Sequence, residues 1–164
     1  MRQLQALLPL LGLAMVAAAA TPATSCAAPS TSASGTIANT SATFNSVRQA
    51  GPNLVVDLSA TAAYTGTFSG TSTLHGVLVI HPDGSANFHD VETFTGTVNG
   101  VAGTVTFNLT GHNDSDLVVD ETRTATSASG GLAGLHAVLH EVGIVVPPLG
   151  PATTYSGKVD FTGP

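Results

Sequence analysis

The stretch Phe88-His89-Asp90-Val91-Glu92-Thr93-Phe94 concentrates the residue types in this chain that could move protons. In an extended strand successive side chains alternate between faces, so Phe88, Asp90, Glu92 and Phe94 share one side. If that side faces an apolar interior, desolvation disfavours the ionised carboxyls and raises their pKa values, which is how general acids and bases are made. The structural alternative is a polar plug, in which Glu92 pairs with Arg123 or accepts a hydrogen bond from a tyrosine. Tyr64 and Tyr155 also fall at inward positions, where a phenol either orients a ligand or simply satisfies its own hydroxyl. Glu92 and Tyr155 are therefore the catalytic candidates. Tyr64, Phe68, Phe88, Asp90, Phe94 and Phe107 are the candidates for touching a ligand.

Other chemistries find less support. The chain has six histidines, but His136 and His140 on one strand stand about 13 Å apart at roughly 3.3 Å per residue, too far to share an ion. Asp114-Ser115-Asp116 lacks the glycine and the distal glutamate of a calcium loop. There is no Gly-x-Ser-x-Gly elbow, no phosphate-cradling glycine loop and no Cys–His pair for nucleophilic catalysis. Hydrolases and nucleotide-dependent enzymes are disfavoured, and neither a metal nor a cofactor is expected.

The elements that must position these residues are strands. From Thr36 onward the hydrophobic pattern has period two, clearest from Leu54 to Phe68, where Leu54, Val56, Leu58, Ala60, Ala62, Tyr64 and Phe68 share a face. Gly51-Pro52-Asn53, Pro82-Asp83-Gly84 and Asn99-Gly100 are tight-turn signals. His112 to Asp116, Ser127 to Gly131 and Pro147 to Pro151 read as longer loops. The pattern predicts strands over 36–48, 53–68, 71–81, 85–98, 101–111, 117–126, 132–146 and 153–162. Eight sequential strands without a helix predict an all-β fold, a single antiparallel up-and-down barrel over 36–164, whose closure removes sheet edges. The facing of 36–48 and 117–146 stays open, and with it the placing of His136, His140, Glu121 and Glu141. The inward positions mix large side chains with Ala60, Ala62, Gly66, Gly76, Gly96, Gly103 and Gly157. Such a barrel is either filled wall to wall or encloses an apolar cavity.

The run Tyr64-Thr65-Gly66-Thr67-Phe68-Ser69-Gly70-Thr71, the turn Asp83-Gly84-Ser85-Ala86-Asn87-Phe88 and the run Glu92 to Thr104 resemble one uncharacterised bacterial family, a domain of unknown function. Ser129 to His136 and Tyr155-Ser156-Gly157 fit it as well, so the resemblance covers roughly residues 60–162. That family's barrel is similar to those of allene oxide cyclase and the dirigent proteins. The resemblance implies a barrel with a small-ligand cavity. It transfers no activity, because the plant cyclase's catalytic set finds no match here.

Composition and address narrow the role. Only 9% of the 164 residues are charged, with 4 Lys and Arg against 10 Asp and Glu, which argues against nucleic acid. Arg2 precedes an apolar run from Leu7 to Ala20, shorter than the roughly 20 residues a membrane helix needs, so it reads as a signal peptide within residues 1–26. The single cysteine, Cys26, ends Ala23-Thr24-Ser25-Cys26, which resembles a bacterial lipobox with Ala where Leu is usual; cleavage after Ala18-Ala19-Ala20 is the alternative. Residues 27–35, rich in Ser, Thr, Ala and Pro, read as a flexible tether. The expected protein is exported, as an envelope lipoprotein or freely secreted, and meets a membrane only through a lipid on Cys26. The leading function is binding of a small apolar molecule inside the barrel. The alternatives are a cyclase or isomerase acting on a flexible apolar substrate, and a structural envelope protein with a filled barrel. Oligomeric state is left open.

Overall fold

The computed structural model describes residues 29–161. Eight strands follow one another: β1 Thr31–Ala50, β2 Asn53–Gly66, β3 Phe68–Ile80, β4 Ala86–Val98, β5 Val101–Asn113, β6 Val118–Gly130, β7 Leu135–Val146 and β8 Gly150–Phe161. Each pairs antiparallel with the next, and β8 returns to β1 from Thr31↔Val159 to Ala38↔Ala152, closing the barrel. Among the described residues there is no helix.

The expected up-and-down architecture is the one observed. Alternation drives it: β3 and β4 bury every second residue over most of their length, and Thr-rich outer positions meet water. The Asn99-Gly100 hairpin has the positive φ at both residues (50° and 84°) that a two-residue turn between twisted strands requires.

Strand boundaries differ from the sequence expectation in several places. Thr31–Gly35, expected in the tether, instead open β1 against β8 and bury Ala33. Ser127–Gly130, expected in a loop, continue β6 against Val105, Thr104 and Gly103 after a one-residue bulge at Thr126. Leu132, expected in a strand, lies in the turn before β7 and is fully buried. Leu54, expected inside, is 38% exposed at the rim.

The turns alternate between two ends of the barrel, and the two ends are packed differently. At the end carrying the β2–β3, β4–β5 and β6–β7 turns the interior is solid. Phe68 meets Phe94, Phe107 and Tyr155 edge-on at centroid distances of 5.5, 5.8 and 6.0 Å. Such quadrupole-matched contacts add to the area these rings bury. Leu132 folds in from its turn and, with Val98, Val105, Leu135, Leu139 and Val159, completes the plug. At the other end the interior is empty.

Candidate functional site

Between the solid and empty halves lies a layer of buried polar side chains centred on Arg123 of β6. Its guanidinium spends its donors on three carboxyls and a phenol. Nε bonds Glu141 Oε1 on β7, Nη2 bonds Glu121 Oε1 at 2.7 Å, and Nη1 meets Glu92 Oε2 and donates to the Tyr64 hydroxyl at 2.6 Å. Tyr64 donates in turn to Glu92 Oε2 at 2.7 Å, Ser72 Oγ donates to Glu92 Oε1, and Thr153 Oγ1 donates to Glu141 Oε2 at 2.9 Å. Arg123, Glu92, Glu121 and Glu141 are all at most 4% exposed. A lone buried ion would be costly; mutual pairing and hydroxyl donors make this layer tolerable.

Three acids around one cation still leave negative charge in excess. Burial, then the Glu141 charge and hydrogen bond, pushes the Glu121 carboxyl well above the usual range and favours its neutral form. Burial alone would lower the Arg123 pKa, but Tyr64, Glu141 and Asp90 reverse this, so the guanidinium is a fixed cation. Burial also raises Tyr64, so its phenol keeps the proton that it donates to Glu92.

Above this layer opens a cavity of about 430 Å³. Its floor is Asp90, Glu121, Arg123, Leu74 and Leu109, its walls include Leu58, Leu78, Ile80, Phe88 and Val119, and turn residues Gly84, Leu117, Pro147 and Pro148 form the rim. Asp90 is 7% exposed, and its Oδ1 has no hydrogen-bond partner. Burial pushes its carboxyl up to about 6, against the pull of Arg123, His89 and His75. Gly76 faces Asp90 across β3–β4, and a Cβ there would fall on Oδ1, so glycine is what lets this carboxylate lie against the wall. Gly111 does the same for Glu121, whose Cβ would stand 2.5 Å from an added one.

The sequence candidates divide between these regions. Phe88 and Asp90 line the cavity. Tyr64 belongs to the polar layer, and Phe68, Phe94 and Phe107 lie in the solid half. Glu92 is inward but sealed at 0% exposure, with both oxygens engaged; the two expected structural partnerships, with Arg123 and with a tyrosine, occur together. Tyr155 is wedged against Phe68, its hydroxyl accepting from Phe68 N–H at 2.9 Å and donating to Thr65 O at 3.1 Å. Burial raises the Tyr155 pKa against the hydrogen bond from Phe68. Glu121 and Glu141, unplaced by the sequence, turn out to be inward; His136 and His140 are outward. The signal for Glu121 was the glycine that faces it, Gly111. Cys26 and the leader lie outside the described residues.

A family model described as "Protein of unknown function (DUF3224)" matches residues 31–140. The chain belongs to the DUF3224 family. The DUF3224 match takes in Asp90, Glu92, Glu121 and Arg123 and stops one residue short of Glu141. The crystal structure of a DUF3224 protein of unknown function from Shewanella oneidensis MR-1 is similar in fold, with a TM-score of 0.62 at 15% identity, covering 82% of this chain and all of that one. No curated protein matches.

Asp90 gives this DUF3224 barrel a specific pH dependence. An acid whose folded pKa, here about 6, exceeds its unfolded value of about 3.9 stabilises the fold at low pH and loses that contribution as pH rises through the folded value. Asp90→Asn removes the effect. Urea unfolding should show the variant gaining about 2–3 kcal/mol on the parent between pH 4 and pH 7. A gap that does not change with pH would mean that Asp90 ionises as freely in the barrel as in the unfolded chain.

Proposed function

We propose that this DUF3224 protein is an exported binding barrel that holds a small, largely apolar ligand in its open half. The observation that carries the reading is the cavity of about 430 Å³, lined mainly by aliphatic and aromatic side chains in a barrel whose other half is solid. Preformed concave sites with apolar walls and a few convergent polar groups are the usual form of small-ligand sites. The resemblance to allene oxide cyclase-like barrels points the same way. The cyclase reading has less support, because Glu92 is sealed beneath the floor and the Tyr155 hydroxyl is already bonded twice.

The test is binding of N-phenyl-1-naphthylamine, a neutral dye that fluoresces in apolar surroundings. The protein should bind it, and Leu78→Trp, which fills the cavity from its wall, should weaken binding by at least about tenfold, the loss of roughly 1.4 kcal/mol. Val142→Ser on the outer face should leave it unchanged. Equal binding by the Leu78 variant and the parent would refute the cavity as the site.

The address rests on the leader and Cys26. On the lipoprotein reading, β1 begins only five residues after Cys26, so the barrel sits close to the membrane surface. Cys26→Ser should then move the protein from the membrane fraction to the soluble one; an unchanged distribution rules out the lipid tether.

A further inference from the structure

Asp90 places a buried carboxylate in the cavity floor, and one of its oxygens, Oδ1, has no donor, in a fold that otherwise satisfies its buried polar side-chain atoms among the described residues. Leaving a buried acceptor unpaired costs about 1–3 kcal/mol. Arg123 does not relieve it: its hydrogen bonds and ion pairs go to Glu92, Glu121, Glu141 and Tyr64, and none goes to Asp90. Asn113, an amide of the lining, donates to Asp114 O instead. Gly76 leaves Oδ1 the space that a Cβ would otherwise occupy.

The charge around that oxygen is one-sided. Asp90, Glu92, Glu121 and Glu141 are four carboxyl groups about one guanidinium. A ligand carboxylate or phosphate would meet this excess with like charge, whereas a cation would neutralise it. A partner for Asp90 must therefore bring the donor, and the surplus charge favours one that brings positive charge too.

We propose that the ligand is an amphiphilic amine: a protonated nitrogen that donates to the Asp90 carboxylate at the floor, with an apolar body lying along Leu58, Leu78, Ile80 and Phe88. This rests on the cavity-binding reading and specifies its chemistry. Asp90 is the specificity-determining residue, and Gly76 is the positioning residue that holds its carboxylate in place.

The test compares three ligands with one apolar body, decylamine, decanol and decanoic acid, by titration calorimetry at pH 7.5. Decylamine should bind at least about tenfold more tightly than decanol, as expected for one charge-assisted hydrogen bond, and decanoate most weakly. Asp90→Asn should bring decylamine to within about twofold of decanol. Decanol binding as well as decylamine to the parent, or a preference for amine surviving in Asp90→Asn, overturns the amine assignment and leaves the cavity reading standing. No binding of any of the three, decanol included, overturns both.

Discussion

One guanidinium organises this barrel. Arg123 and its partners draw side chains from β2 (Tyr64), β3 (Ser72), β4 (Glu92), β6 (Glu121), β7 (Glu141) and β8 (Thr153) into a single hydrogen-bonded layer at mid-height. Strand register is otherwise weakly specified in Thr- and Gly-rich strands, and a slip of one residue exchanges the two faces. Here such a slip would expel a layer member from its partners and strand charge in the interior. Breaking a buried ion pair by removing one partner costs about 3–5 kcal/mol, so the layer penalises every wrong register that apolar patterning alone would tolerate.

The layer also explains why the two halves differ. Below it, Phe68, Phe94, Phe107 and the inserted Leu132 fill the lumen. Above it, the lining includes Ala42, Ala86 and the rim glycine Gly84, and only Phe88 and Phe44 contribute aromatic rings. An eight-stranded lumen is just wide enough to be filled by side chains or to hold one small molecule; this one is filled at one end and encloses a cavity at the other. The walls are fixed by a continuous backbone ladder, so a ligand entering the upper half meets a site already formed and little binding energy is lost to ordering it.

Much of this was legible in the sequence. Strict alternation in β2 to β5 and the Asn99-Gly100 turn gave the strand order, and parity placed Asp90 and Glu92 inside with the right structural partners for Glu92. Where parity failed, specific residues were responsible. β1 carries two bulges, at Thr40 and Asn45, each of which shifts its register against β2. β7 is apolar on both faces, with Val138, Val142, Ile144 and Val146 outward against Leu135, Ala137 and Leu139 inward, so period two could not tell wall from lumen. In β6 the inward face carries Glu121 and Arg123, residue types that ordinarily mark solvent. Nor could composition say which aromatic residues border the cavity: Phe88 and Phe94 share a face six residues apart, yet one lines the empty half and the other the solid one.

The leucine methyls report directly on that division. Leu58, Leu74, Leu78 and Leu117 border the cavity, while Leu132, Leu135 and Leu139 lie in the solid half. Methyl NMR spectra of the leucine-labelled protein, recorded while decanol is added, separate the two sets in one titration. Saturable shifts confined to the first set are the predicted result. Shifts centred on the second set, or no saturable shift in either, would contradict a barrel whose polar layer divides a packed half from one built to hold a ligand.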